Sequence, residues 1–242
     1  MAASALKNPG LCKAAARGEM RFMNDLSARR PLKSRSTQWA SLVSRGLLRL
    51  GVSPNQVSVM SIVFAAGAAR LLAGGHADCC GWAWVLAALC IQMRLLCNLM
   101  DGMLAVEGGL KTPHGDLYNE FPDRLADVLI LAALGYAEGT AAGIALGWLC
   151  ACGALMTACI RMQGAALTGA HDFSGPMAKP HRMALATVSC LVMAFLTFGG
   201  SQAAPLPWLL GVMLAGILLT IHRRLRALSR ALHERAAQSS AS

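Results

Sequence analysis

Six long apolar runs constrain this chain most, at about 56–73, 81–104, 121–138, 141–163, 183–199 and 205–221. Each is near the ~18–20 residues that a helix needs to cross the hydrocarbon core of a bilayer. No water is available there to backbone N–H and C=O groups, so such a run must satisfy them internally, as a helix. Composition agrees with this reading. Of 242 residues, 55% are hydrophobic and only 14% are charged, fewer charges than a soluble domain of this length carries. The expected fold is all-α: a polytopic membrane protein of six transmembrane helices in one domain.

Charge is placed unevenly along the chain. The net formal charge is +10, and it gathers at the two ends. Lys7, Lys13, Arg17, Arg21, Arg29, Arg30, Lys33, Arg35, Arg45 and Arg49 precede the first run, while Arg223, Arg224, Arg226, Arg230 and Arg235 follow the last. Stretches 74–80, 138–141 and 200–204 contain no Lys or Arg. The positive-inside rule then places both termini in the cytoplasm, which requires an even number of spans. Basic ends on a membrane protein attract anionic headgroups, so membrane lipids are expected partners and nucleic acid is not. Residues 1–30 lack the apolar core of a signal peptide, so no cleaved segment is expected. The nine cysteines form no metal-type CxxC pattern. Most of them lie inside the runs, where Cys acts as a small apolar residue. Cys79 and Cys80 are adjacent in an outer loop, and a disulfide elsewhere stays open.

Three segments follow: a basic N-terminal part (1–35), a membrane domain (36–222) and a basic tail (223–242). Residues 36–50, "STQWASLVSRGLLRL", read as an amphipathic helix capped by Ser36 or Thr37 and stopped by Gly51. Trp39, Leu42, Val43, Leu47 and Leu50 share a face that suits a helix lying in the membrane interface. Packing on a soluble element is the alternative. "SPN" at 53–55 opens the first span.

The stretch "NLMDGMLAVEGGLKTPHGDLYNEFPDR", 98–124, holds five of the twelve carboxylates. Arg94, Asn98 and Asp101 recur at i, i+4 and i+7 on one face of the second span. An arginine there is costly against lipid and should face a polar cavity in the bundle. A Gly- and Pro-rich loop follows, and the next helix begins within 116–121. Asp116, Asn119, Asp123 and Asp127 make a stripe on a regular helix, although Pro122 either bends that helix or sits in its first turn. The loop after the fourth run offers Arg161, Lys179, His181 and Arg182. Oxygen ligands on neighbouring helices suit a hard divalent cation, and Lys and Arg beside them suit phosphate. A metal on a diphosphate with a free carboxylate to take a proton is the apparatus of phosphoryl-group transfer. Acids at helix starts also favour the helix dipole, which covers Asp116 and Glu120 but not the Arg94, Asn98, Asp101 face.

These residues resemble the signature of the CDP-alcohol phosphatidyltransferase family, D-x-x-D-G-x-x-A-R-x8-G-x-x-x-D-x-x-x-D. The chain reads N-x-x-D-G-x-x-A-V-x8-G-x-x-x-N-x-x-x-D, so Asp101, Gly102, Ala105, Gly115 and Asp123 match with the spacer intact. The resemblance covers roughly residues 30–222. It implies a membrane enzyme of phospholipid biosynthesis that moves a phospho-alcohol group from a CDP-activated lipid or alcohol to an acceptor hydroxyl, releasing CMP. It implies Asp123 as general base and Asn98, Asp101, Asn119 and Asp123 as the metal set for Mg²⁺ or Mn²⁺. Asp101, Gly102, Ala105 and Gly115 would face the nucleotide, and Arg161, Lys179 and Arg182 the phosphates. Arg94 lies outside the signature, one turn before Asn98, and is expected from its position to grip a phosphate directly. It further implies a homodimer, and a bacterial inner-membrane location with the active site cytoplasmic. Asn98 and Asn119 stand where the family has acids, and Val106 where it has arginine. Two negative charges are lost, so metal binding weaker than usual is expected, with two ions, one or none. Glu107, Asp116, Glu120 and Asp127 are candidate replacement ligands. A non-catalytic member that binds a nucleotide-lipid or membrane partner is the second reading, and a small transporter the third. Gly143-x-x-x-Gly147 suits close helix packing, within the chain or between chains.

Overall fold

The computed structural model describes residues 38–74, 80–109, 115–201 and 205–240. The N-terminal segment 1–35, the Ser36 or Thr37 cap, Cys79 and part of the loop before Gly115 lie outside them. The described residues form seven α-helices: α1 (Gln38–Arg49), α2 (Pro54–Leu72), α3 (Gly81–Glu107), α4 (Gly115–Glu138), α5 (Ala141–Thr168), α6 (Lys179–Phe198) and α7 (Leu206–Ser240).

Local sequence explains several helix ends. Gly51 adopts φ +70 and ends the α1 turn. Ser53 caps α2: its hydroxyl accepts from the Gln56 N–H while Gln56 Oε1 accepts from the Ser53 N–H, and Pro54 takes the first turn. Thr140 caps α5 through Gly143 N–H, and Gly169 closes it in the left-handed conformation at φ +70. The helix expected to begin within 116–121 begins at Gly115. It runs unbroken through Pro122, so Asn119, Asp123 and Asp127 do share one helical stripe. α7 continues without a break from the last apolar run through the basic tail, 35 residues in all. At 1.5 Å per residue that is roughly 50 Å, well beyond a hydrocarbon core of about 30 Å.

Six helices pack in a closed ring, in the order α3, α2, α4, α5, α7, α6 and back to α3, and α1 lies against α3. Lipid supplies no hydrophobic drive between helices, so close contact depends on small residues. The core is accordingly rich in them: Ala65, Ala68, Ala87, Ala126, Cys150, Ala151, Ala154, Ala186 and Cys190 are all buried. α4 and α5 approach closely. A Cβ on Gly147 would stand 2.7 Å from Gly135 Cα and 2.9 Å from the Leu131 carbonyl oxygen. Gly147 of the GxxxG motif therefore serves packing inside the chain.

Five helices (α2, α3, α5, α6 and α7) are long and apolar enough to cross a membrane. The fold is thus an all-helical polytopic membrane protein. The run expected at 121–138 lies in α4, which also carries Asp123, Arg124, Asp127 and Glu138 and is not among the five. α1 buries Ala40 and Ser44 and leaves Trp39, Leu42 and Val43 exposed, as is Leu50 in the turn after it.

Candidate active site

The C-terminal half of α3, the first turns of α4 and α6, the last turns of α5 and the middle of α7 meet at one end of the ring. They enclose a cavity of about 500 Å³. Its wall combines apolar Trp39, Leu95, Leu96 and Leu99 with polar Asn98, Asn119, Glu120 and Asp123, and with cationic Arg124, Arg161, Lys179 and Arg182. The size falls in the range of small-molecule sites.

Most of the charged groups are paired through the middle of the bundle. Asp127, 1% exposed, is gripped from both sides. Arg94 Nη2 donates to its Oδ1 at 2.7 Å, and Arg182 Nη2 donates to its Oδ2 at 2.9 Å. Arg182 Nη1 also donates to the Met177 carbonyl at 2.9 Å and to Thr157 Oγ1 at 3.2 Å. Arg94 reaches Asp123 as well, donating to its carbonyl oxygen at 3.1 Å and lying 3.4 Å from its Oδ1. Lys179 Nζ donates to the other Asp123 oxygen, Oδ2. Buried charge is costly unless paired and hydrogen-bonded, and this lattice pairs its acids and bases across α3, α4 and α6 while leaving Arg94 Nε and Nη1, Arg182 Nε and Asp123 Oδ1 without a hydrogen-bond partner.

A second cluster stands at the cavity edge. Arg161 Nη2 donates to both Glu120 oxygens, at 2.7 and 2.8 Å, and Arg124 pairs with the same carboxylate. The Arg161 guanidinium lies 5.4 Å from the Phe173 ring centroid, a cation–π arrangement. Burial pushes the Glu120 carboxyl up, but Arg124 and Arg161 outweigh it and hold the group below its ordinary value.

The structure thus brings together Asn98, Asn119, Asp123, Arg161, Lys179 and Arg182. Arg94, expected at a phosphate, is instead fully buried, absent from the cavity wall and turned toward Asp127 and Asp123. The reason is Asp127, one turn beyond Asp123, which gives a buried guanidinium a closer partner than a ligand in the cavity. Asp101, 4% exposed, accepts from Ser58 Oγ at 2.7 Å, and with Gly102, Ala105 and Gly115 it does not line the cavity. Ser58 and Arg224 were not singled out in the sequence. Arg224 ties α7 to the site by donating to the carbonyls of Thr157 at 2.7 Å and Ser174 at 2.9 Å. Its one sequence signal was membership of the basic tail. Asp127 was legible as the next position on the stripe.

Among the described residues, no group of three His, Cys, Asp or Glu side chains converges on a metal position. Even so, Oδ1 of Asp101, Oδ1 of Asp123 and Nδ2 of Asn98 are buried without a hydrogen-bond partner. The two ends of an amide are assigned rather than observed, so Asn98 can equally present its carbonyl oxygen. The chemistry of these donors suits a hard divalent cation whose remaining ligands come from substrate or water.

Comparison with known proteins bears on this geometry. No family model matches the chain. Over 186 residues, 76% of the chain, it is 31% identical to a bifunctional IPC transferase and DIPP synthase of Rubrobacter xylanophilus, and it spans 39% of that relative's length. In structure it is similar to the phosphatidylinositol phosphate synthase of Mycobacterium tuberculosis. With CDP-DAG bound, that protein superposes at a TM-score of 0.66 and 20% identity, covering 79% of this chain and 94% of the synthase. With manganese and citrate the TM-score is 0.65, again at 20% identity, covering 78% and 88%. In sequence the chain is thus similar to an IPC transferase and DIPP synthase, and in fold to a phosphatidylinositol phosphate synthase.

Proposed function

We propose that the chain moves a phospho-alcohol group, phosphatidyl by the likeness to the CDP-DAG-bound synthase, from a CDP-alcohol to an acceptor hydroxyl, with release of CMP. One observation carries the reading: Asp123, the signature's last acid, stands in the wall of the cavity with Lys179 on its carboxylate and Arg161 across from it. In the reaction the acceptor oxygen forms a bond to the phosphorus nearer the alcohol. The bond from that phosphorus to the CMP oxygen breaks, and its electron pair leaves with CMP. The hydroxyl proton passes to the Asp123 carboxylate.

Lys179 links binding to this proton transfer. Its side chain is 26% exposed and unbranched, so it is free to follow a diphosphate entering the cavity. Moving to the phosphates uncovers Asp123 as a base. Arg161 and Arg182 add positive charge to the same wall, where it stabilises phosphate oxygens as the bond to CMP breaks. Trp39, Leu95, Leu96 and Leu99 exclude water from the acceptor's path. Mg²⁺ or Mn²⁺ held by Asp101 and Asp123, with Asn98 and Asn119 as neutral companions, would supply Lewis-acid polarisation of the diphosphate. The manganese-bound synthase of the same fold supports that choice of ions.

The same reading makes α4 the sixth span, its charges turned into the bundle, and α1 an interfacial helix with Leu42 and Val43 toward lipid. The arginine-rich ends support a cytoplasmic active site in a bacterial inner membrane. A homodimer follows only from the resemblance. A non-catalytic, nucleotide-lipid-binding member is the second reading, favoured by the two asparagines and by the Lys179–Asp123 pair. Purified protein in lipid nanodiscs, given labelled CDP-lipid and a panel of alcohols with Mg²⁺ or Mn²⁺, distinguishes the two. Released CMP supports transfer. CDP-lipid binding with no CMP under any acceptor or metal supports the second reading.

A further inference from the structure

We propose that the free site carries no net negative charge without a metal, and that a single divalent cation enters together with the nucleotide diphosphate. This deepens the transferase reading and rests on it. Three acids face three cations at the centre of the bundle: Asp101, Asp123 and Asp127 against Arg94, Lys179 and Arg182. Arg94, Arg182 and all three acids are under a tenth exposed. Both Asp127 oxygens are taken by guanidinium groups, Asp123 Oδ2 by Lys179, and Asp123 Oδ1 lies 3.4 Å from Arg94. These six charges sum to zero, and buried Arg224, which donates to the Thr157 carbonyl, adds a further positive charge beside them, so the free site holds no net negative charge for a metal to neutralise.

A divalent ion added to such a mostly buried cluster brings two uncompensated charges into a medium that solvates them poorly. Aspartates at positions 98 and 119 would have met those charges, but this chain has neutral amides there. Arg94 and Lys179 already supply, from within the protein, the positive charge next to Asp123. The diphosphate changes the balance. It carries negative charge of its own, draws Lys179 away from Asp123 and leaves a carboxylate for one ion. The coupling is reciprocal: the ion tightens the nucleotide by the same factor as the nucleotide tightens the ion.

The test is a Mn²⁺ titration of the protein in nanodiscs, followed by the electron paramagnetic resonance signal of the free ion. It is run with and without saturating CDP, and protein-free blanks account for the Mn²⁺–CDP complex. Wild type should bind one Mn²⁺ per chain in the presence of CDP, at least tenfold more tightly than in its absence. Lys179→Met, at a partly exposed position, should raise nucleotide-free Mn²⁺ affinity tenfold or more. Asn98→Asp with Asn119→Asp should do the same. Two tight Mn²⁺ sites in the nucleotide-free wild type would overturn the proposal, as would equal affinity with and without CDP or an unchanged Lys179→Met. If CDP binds while Mn²⁺ is uncoupled, this proposal alone falls. If CDP does not bind with or without Mn²⁺, the transferase reading falls with it.

Discussion

Asp127→Asn is the sharpest probe of the buried charge lattice. The substitution keeps the shape of the side chain and removes the one charge that two buried guanidinium groups share. Asp127 is 1% exposed, Arg94 0% and Arg182 1%, so solvent offers no replacement. Breaking a buried pair by neutralising one partner costs about 3–5 kcal/mol. Two contacts are lost here, at 2.7 and 2.9 Å, but the costs do not simply double. Arg94 keeps Asp123, Arg182 keeps Thr157 and Met177, and the new amide still presents one oxygen. The lower figure, about 3 kcal/mol, is therefore expected; for a chain of this size it lowers Tm by about 6–12 °C. Thermal unfolding in a fixed detergent or nanodisc, read by far-UV circular dichroism, measures it. Arg94→Met in the Asp127→Asn background should cost less than in wild type, because the charge it removes has already lost its nearer partner and keeps only Asp123. An Asp127→Asn Tm within about 2 °C of wild type, or fully additive costs, would refute the pairing.

Three further outcomes follow from the same geometry. Gly147→Ala puts a methyl 2.7 Å from the Gly135 backbone, which cannot yield as a side chain would, so a loss of about 1–3 kcal/mol is expected in the same melt. Glu120, held below its ordinary value of 4.5, stabilises the fold fully above that value, and the contribution is lost as pH falls past it. Glu120→Gln should flatten the acid side of a plot of Tm against pH and leave its slope near neutrality unchanged. Asp123→Asn should lower CMP release at least about 100-fold with Tm nearly kept, since Arg94 retains Asp127 and the Asp123 backbone carbonyl.

Some of this was legible in the chain and some was not, for physical reasons. Apolar runs report on what a segment touches, so five of the six expected spans appear as long apolar helices; four lie within about five residues of their expected ends, while α7 runs on past 221 to Ser240. Run 121–138 is not among them, because Asp123, Arg124, Asp127 and Glu138 interrupt its apolar character. The helical period placed Asn119, Asp123 and Asp127 on one face, and Pro122 did not break it. Pairing is another matter. Period and spacing show that Arg94 must face inward, but not whether its partner is a ligand or Asp127, 33 residues away. Ser58 meets Asp101 across 43 residues, and Arg224 meets Thr157 across 67. Only the tertiary ring of helices brings them together.

The central claim is that Asp123 takes the acceptor's proton as a phospho-alcohol group leaves CMP. It is tested most directly by CMP release from labelled CDP-lipid, with wild type and Asp123→Asn measured side by side in nanodiscs with Mn²⁺ and an acceptor panel. The account predicts acceptor-dependent CMP release by wild type and none above background for the variant, with both binding CDP-lipid. Equal release by the two proteins, or CDP-lipid bound by wild type and never turned over, would contradict it.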